Sequence, residues 1–248
     1  MSAYEALAVS YDRLTDDVAY GKVLDFLELL LRERDKHPES VLDLACGTGS
    51  LSILMARRGY RVLGADLSED MLSVAYAKAM ELEENRPYFV HQSMQKLRLP
   101  YQVDCVVCCL DSLNYLTDPA DCREAIRRVW EALAPGGVFL FDVNTPEKLW
   151  AMDGQIFLDE DDDVYCVWRG SFSEEERICS YGMDLFQRVG PLWQRSSEEH
   201  REYAYTPEEL RGFLEGAGFT GITVYGDRTL LPPAPGEQRI YFAANKES

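Results

Sequence analysis

Apolar residues in the first half of the chain follow two periodicities that alternate with each other. Nearly continuous apolar runs, which are typical of buried strands, cover residues 41–45, 61–65, 88–91, 103–110 and 138–143. Stretches with helical spacing cover residues 18–35, 50–58, 70–83 and 120–132. Because strands separated by helices of this length form right-handed crossovers, the pattern predicts a parallel sheet covered by helices on both faces.

The pattern changes after Thr145-Pro146. Polar and apolar positions alternate over residues 163–172, 177–188 and 193–204. This alternation predicts an antiparallel β insertion of roughly three strands. Helical spacing returns after the insertion, and two strands follow, over residues 207–216, 221–227 and 239–244.

The order of these elements predicts an α/β fold in which one insertion interrupts the core. Residues 38–150 and 206–248 form that core, and residues 151–205 form the β-rich insertion. The helical segment 1–37 precedes the first strand, and we expect it to close over the ligand site. Ligands of open α/β sheets bind at the carboxyl ends of the strands. The insertion leaves the core at such an end, so it starts beside the expected site.

A glycine-rich turn connects the first predicted strand to the helix after it. Gly47 and Gly49 permit a tight turn, and a ligand can then meet free N–H groups where the helix begins. Asp66 ends the second strand 19 residues after Gly47, where a carboxylate can accept both hydroxyls of an adenosine ribose. A dinucleotide site needs a third glycine where this chain has Ser52, and the carboxylate of Asp43 would repel a pyrophosphate. These residues favour S-adenosylmethionine over a nicotinamide cofactor.

Several segments resemble the motifs of class I S-adenosylmethionine-dependent methyltransferases. Motif I is matched by DLACGTG at residues 43–49, and motif II by GADLSEDML at residues 64–72. Residues 111–116 and 133–139 are similar to the next two blocks. Residues 141–149 are similar to a bacterial subgroup of unassigned substrate within the small-molecule branch. The resemblance implies a methyltransferase with a Rossmann-like sheet and helices on both faces. Because the insertion starts beside the expected site, we expect residues 151–205 to form a substrate cap.

The resemblance also implies which residues bind the cofactor. Asp66 would hold the ribose, and Leu67 and Met71 would line the adenine. Ser93 stands where relatives usually carry an acidic residue that accepts the adenine amino group. The expected cofactor-binding residues are Tyr11, Asp43, Gly47, Thr48, Gly49, Asp66, Leu67, Met71, Ser93, Met94, Leu110, Asp111 and Tyr115. The expected acceptor-binding residues are Tyr20, Asn144, Trp168 and His200.

No residue is assigned a catalytic role, and no metal is expected. Cys105 and Cys108 have a zinc-like spacing, but on a strand their side chains face opposite sides. The seven cysteines are scattered or lie in apolar runs, which indicates reduced thiols and a cytoplasmic protein. No apolar run is long enough to span a membrane.

Composition and missing motifs favour a small-molecule methyl acceptor, methylated on nitrogen or oxygen by in-line transfer. With 43 acidic and 25 basic residues the net charge is −18, whereas a nucleic-acid substrate needs a basic surface. The chain also lacks the Pro-Pro-Tyr tetrad and the Pro-Cys pair of nucleic-acid methylases. The alternatives are a protein or RNA acceptor, or a non-catalytic module that binds S-adenosylmethionine. For the insertion, the alternative to a cap is a homodimer interface, formed through its aromatic sheet edge.

Overall fold

The computed structural model describes residues 18–247, so Tyr11, an expected cofactor contact, lies outside the described residues. The described chain contains six α-helices, which are α1 (Tyr20–Glu33), α2 (Ser50–Arg57), α3 (Glu69–Ala79), α4 (Pro119–Ala132), α5 (Pro146–Ala151) and α6 (Pro207–Ala217). Within these residues, no helix combines the length and the apolar character that crossing a membrane requires.

Two separate sheets contain the eleven described strands. The main sheet contains β1 (Ser40–Leu44), β2 (Arg61–Asp66), β3 (Tyr88–His91), β4 (Val103–Cys108), β5 (Leu133–Asn144), β10 (Thr220–Tyr225) and β11 (Arg239–Asn245). The second sheet contains β6 (Ile156–Glu160), β7 (Val164–Ser173), β8 (Ile178–Val189) and β9 (Leu192–Tyr203).

The main sheet has the strand order β10-β11-β5-β4-β1-β2-β3. Its first five strands in the chain pair in parallel, and β11 runs antiparallel to both β5 and β10. The carboxyl ends of β1 to β5 therefore meet along one edge of the sheet. The strand order changes direction between β1 and β4, which is where open α/β sheets bind their ligands.

Helices cover both faces of the main sheet. On one face Ile126 of α4 and Leu210 of α6 pack in the same buried cluster as Phe141 of β5. On the other face Leu27 of α1 and Met55 of α2 form a second cluster with the strands. Because both faces are buried, the central strands are apolar at successive positions instead of alternating. This architecture confirms the predicted α/β fold.

The second sheet is an antiparallel meander in which each strand pairs with the next. Its inner face buries Cys166 of β7 together with Met183 and Leu185 of β8. Sequence analysis predicted roughly three strands, but there are four. Strand β6 was missed because all five of its residues are exposed, so it shows no alternation of buried and exposed positions.

Candidate active site

The turn between β1 and α2 leaves the backbone open toward a cavity. Ala45, Gly47 and Gly49 have φ angles of 61°, 53° and 73°, in the region that glycine adopts without steric cost. A Cβ at Gly47 would meet no atom within 4 Å, so this residue borders open space. A Cβ at Gly49 would lie 2.9 Å from the Cβ of Ala75 and 3.0 Å from the Phe89 ring. Gly49 therefore permits the turn to pack against α3 and β3, and it does not line the cavity.

Asp66 faces this turn from the end of β2. The backbone N–H groups of Gly47 and Ser68 donate to its two carboxylate oxygens, each at 2.8 Å. Each oxygen keeps a further lone pair that can accept a hydroxyl. Burial raises the pKa of Asp66, and the bonds from the backbone N–H groups oppose that shift. The turn thus holds a carboxylate at the position that suits a ribose.

Asp43, near the end of β1, is a second buried carboxylate beside the turn. It is 2% exposed, and the hydroxyl of Ser52 donates to it at 2.5 Å. Burial raises its pKa to about 7, although the bond from Ser52 acts in the opposite direction. A nearby cation would favour the ionised form. Ser52, which stands where a dinucleotide motif has its third glycine, instead orients this carboxylate.

A cavity of about 360 Å³ opens over the turn and over the ends of β2 and β4. Its volume is in the range typical of small-molecule sites. Ten of the expected cofactor-binding residues line it, namely Asp43, Gly47, Thr48, Asp66, Leu67, Met71, Ser93, Met94, Leu110 and Tyr115. Among the expected acceptor-binding residues, only Tyr20 lines it, whereas Asn144, Trp168 and His200 lie outside its wall.

Sequence analysis missed several lining residues after β4 and β3. Thr117, Asp118 and Asp121 lie where α4 begins, and Gln95 lies beside the expected adenine contacts. Asp118 caps α4 by accepting a hydrogen bond from the N–H of Ala120 at 2.8 Å, so its sequence signal is that of a helix cap. The sequence signal that could have identified these four lining residues is their position after the carboxyl ends of β3 and β4.

The loop after β4 has an unusual backbone. The strand predicted to reach residue 110 ends at Cys108, and Leu110 and Asp111 have left-handed φ angles of 58° and 54°. Such residues cost about 1–3 kcal/mol each, so other contacts must hold them. The carboxylate of Asp142 does so by accepting from the N–H groups of Leu110 at 2.8 Å and Asp111 at 3.1 Å.

Arg239 of β11 completes this arrangement. Its guanidinium donates to Asp142 and to Asp111, the latter at 2.5 Å. Asp111 was expected to contact the cofactor, but it pairs with Arg239 and does not line the cavity. Arg239 lies 128 residues after Asp111, and nothing in the local sequence pattern pointed to it.

Tyr115 connects the cofactor cavity to the second sheet. Its ring meets that of His200 on β9 edge to face, with centroids 6.1 Å apart. The ring of His200 lies 5.7 Å from that of Trp168 on β7. His200 is 1% exposed, and its Nε2 lies 3.3 Å from the carboxylate of Glu198. Trp168 and His200 therefore form an aromatic group with Tyr115, in which His200 is buried and the other two rings are partly buried.

Asn144 joins β5 to the insertion. Its Nδ2 donates to Glu202 at 2.8 Å, and its Oδ1 accepts from Nζ of Lys148 at 2.7 Å. Asn114 bridges the same elements by donating to the carbonyls of Asn144 at 3.1 Å and Tyr203 at 3.0 Å. Burial, with repulsion from a nearby aspartate, raises the pKa of Glu202 to about 8. Asn144 thus anchors β9 to the core.

The remaining charged groups do not form a metal centre in the part of the chain that is described. Residues 18–247 contain no group of three or more His, Cys, Asp or Glu side chains that could hold a metal ion. The acidic run at residues 159–163 is exposed, at and around the turn between β6 and β7.

Known proteins resemble this chain over its whole length. A family model described as a methyltransferase domain matches residues 41–137. The Bacillus subtilis (strain 168) protein named "Putative methyltransferase YqeM" is 34% identical over 246 residues, which cover 98% of this chain and 97% of that protein.

Solved structures of methyltransferases also resemble this chain. An S-adenosylmethionine-dependent methyltransferase from Clostridium acetobutylicum ATCC 824 is 30% identical and superposes with a TM-score of 0.87, covering 100% of both chains. The sugar N-methyltransferase KedS8 from Streptoalloteichus sp ATCC 53650 is 20% identical, with a TM-score of 0.82 over 97% of this chain and 93% of that one, and shares the fold. The resemblance predicted from the motifs is therefore confirmed, and the cofactor is S-adenosylmethionine. The chain belongs to the class I S-adenosylmethionine-dependent methyltransferases and is an enzyme.

Proposed function

We propose that this enzyme transfers the methyl group of S-adenosylmethionine to a nitrogen or oxygen atom of a small molecule. One observation carries the proposal. Tyr115, which lines the cofactor cavity, is in ring contact with His200, and His200 with Trp168. The inner face of the second sheet thus adjoins the wall of the cofactor site, which suits a partly apolar acceptor with a few polar groups.

In this proposal the cofactor occupies the 360 Å³ cavity. Asp66 accepts hydrogen bonds from the ribose hydroxyls, and Asp43 attracts the methionyl ammonium. The open backbone at Gly47 lets the cofactor approach the start of α2 closely. Leu67 and Met71 lie against the adenine. Ser93 is a candidate hydroxyl partner for its amino group.

The cofactor supplies an activated methyl group, and the chain binds the acceptor in line with it and excludes water. Tyr20 and Tyr115 lie on the cavity wall and can contact both molecules. Trp168 and His200 provide an aromatic lining behind that wall. An amine in its neutral form needs no general base before it attacks, whereas a hydroxyl acceptor would profit from one.

We further propose the roles of the flanking segments. The described part of the N-terminal segment, residues 18–37, closes over the cofactor, since it brings Tyr20 to the cavity. Residues 151–205 act as the acceptor cap. Seven unpaired cysteines support a reducing, cytoplasmic environment. A protein or RNA acceptor fits less well, because the net charge is −18 and His200, at the centre of the aromatic group, is buried.

The test is a screen of a cell-metabolite pool with S-adenosylmethionine labelled in its methyl group. We expect label in a small-molecule fraction and formation of S-adenosylhomocysteine. Label found only in protein or RNA would contradict the small-molecule acceptor. Cofactor binding without turnover on any pool would support a non-catalytic module.

A matched pair of variants tests the role of the cap. Trp168 belongs to the aromatic group, whereas Trp193 on β9 is 49% exposed. We expect Trp168→Ala to lower acceptor turnover about tenfold with cofactor affinity retained, since it removes the ring contact with His200 on the inner face of the cap. Trp193→Ala should leave turnover unchanged. If neither variant affects turnover and Trp193→Ala changes the sedimentation coefficient instead, the insertion is a homodimer interface.

A further inference from the structure

His91, the last residue of β3, lies beside the turn that follows Asp66. Strands β2 and β3 pair in parallel, and Asp66 stands opposite His91 in their register. The N–H of Gln92 donates to the carbonyl of Asp66 at 2.9 Å, so the two strand ends are joined. The proposed transfer reaction gives His91 no role, although its ring contacts the segment that would bind the ribose and the adenine.

The ring of His91 contacts two acceptor groups. Its Nε2 lies 2.8 Å from the carbonyl oxygen of Leu67, and its Nδ1 lies 3.2 Å from the carboxylate of Glu69. A carbonyl oxygen can only accept, so Nε2 carries a hydrogen and donates it to Leu67. The side chain of Glu69 is 80% exposed, and such exposed ion pairs contribute little. The bond to the Leu67 carbonyl is therefore the contact of His91 that matters most.

This carbonyl belongs to the same peptide group as the N–H of Ser68. That N–H donates to one carboxylate oxygen of Asp66 at 2.8 Å. A trans peptide group is planar, and its C=O and N–H point in opposite directions. His91 thus holds one side of a rigid group whose other side holds Asp66. A change at His91 is transmitted through this group to the carboxylate.

The side chain of Leu67 depends on the same peptide group. Leu67 lines the cofactor cavity and is 65% exposed, whereas Met71, which also lines it, is 2% exposed. A side chain as exposed as that of Leu67 packs against little of the protein. Its position is therefore set by the backbone that carries it, and the bond from His91 helps to fix that backbone.

We infer that His91 is a positioning residue for S-adenosylmethionine. His91 does not itself line the cofactor cavity. By holding the peptide group between Leu67 and Ser68, it orients the carboxylate of Asp66 toward the ribose and the side chain of Leu67 toward the adenine. The inference rests on the placement of the cofactor in the proposed function, and it does not depend on the identity of the methyl acceptor.

The affinity for S-adenosylhomocysteine, measured by isothermal titration calorimetry, tests this role without any turnover. His91→Ala removes the donor, whereas the side-chain amide of His91→Gln can still donate to the carbonyl. His37→Ala is the matched control, because His37 is a highly exposed histidine outside the cavity wall. We expect His91→Ala to weaken binding about threefold to tenfold, the usual effect of losing one hydrogen bond, and the other two variants to stay within about twofold of the wild type.

A double-mutant cycle tests whether His91 acts through Asp66. The affinities of the wild type, Asp66→Ala, His91→Ala and the double variant are compared. If the shared peptide group carries the effect, the two losses are not additive. We then expect His91→Ala to weaken binding less in the Asp66→Ala background than in the wild type.

Three results in the single variants would overturn the role of His91: wild-type affinity in His91→Ala, no recovery in His91→Gln, or an equal loss in His37→Ala. Additive losses in the cycle would also overturn it, because His91 would then act independently of Asp66. Wild-type affinity in Asp66→Ala would contradict the ribose placement, and the role of His91 with it. A loss in Asp66→Ala without a loss in His91→Ala would leave the cofactor placement intact and reject the role of His91 alone.

Discussion

At the scale of single residues, Asp66 is oriented before any ligand arrives, because two backbone N–H groups fix its carboxylate. We expect Asp66→Ala to lower the affinity for S-adenosylmethionine at least about tenfold, since each hydrogen bond to a charged group contributes about 1.5–3 kcal/mol. Isothermal titration calorimetry measures the change. Asp162→Ala removes an exposed carboxylate and serves as the control. Equal affinities of the Asp66 variant and the wild type would show that the ribose does not bind at Asp66.

The buried carboxyl group of Glu202 makes the free energy of unfolding depend on pH. Burial raises its pKa from 4.5 to about 8, so between these values the folded chain holds a proton that the unfolded chain has released. The free energy of unfolding contributed by this group therefore falls as pH rises through that window. Asp43, with a pKa raised to about 7, acts in the same direction.

We expect Glu202→Gln to match the wild type near pH 5 and to be more stable near pH 8, since the amide cannot ionise and its oxygen can still accept from Asn144. Urea denaturation at several pH values measures the difference. Glu160→Gln, at an exposed position, should leave the pH profile unchanged. A parallel profile for Glu202→Gln and the wild type would show that Glu202 ionises normally in the folded chain.

At the scale of elements, Arg239 ties the ends of β4, β5 and β11 together. Arg239→Met would remove the ion-pair partner of the buried carboxylate of Asp142 and of the partly buried carboxylate of Asp111, so we expect a loss of about 3–5 kcal/mol in the free energy of unfolding. The control is Arg61→Met, because the ion pair of Arg61 with Glu39 is 3.3 Å long and highly exposed. That variant should lose at most about 1 kcal/mol. Urea denaturation measures both losses, and similar losses of unfolding free energy in the two variants would contradict a structural role for Arg239.

The same elements show how far the sequence could predict this molecule. Strands and helices of the core were predicted within a few residues, because burial on both faces leaves a continuous apolar signal. Strand β6 and helix α5 were not predicted, because strand β6 is wholly exposed and helix α5 has only six residues. Local motifs located the cofactor turn and Asp66. They could not locate Arg239, whose role depends on contacts that the fold makes across the chain.

At the scale of the whole molecule, the reactivity of the seven cysteines can be used to probe both the disulfide content of the protein and the cofactor site. All are unpaired and six are buried. In each thiol burial is the main cause of a raised pKa, which disfavours the reactive thiolate. We therefore expect Ellman's reagent to modify the native protein slowly and to find seven thiols after denaturation without reductant. A lower number would reveal a disulfide and count against a reducing compartment.

Cys46 links this measurement to function, because it is the partly exposed cysteine and it lines the cofactor cavity beside Gly47. We expect S-adenosylhomocysteine to slow the alkylation of Cys46, since a ligand over the turn restricts access of the reagent to this residue. Mass spectrometry of the alkylated peptides gives the rate at Cys46 separately from the others. The Asp66→Ala protein provides the control, because weaker ligand binding should shift this protection to higher ligand concentrations. If a saturating ligand leaves the rate at Cys46 unchanged in the wild type, the cofactor does not lie over the turn between β1 and α2.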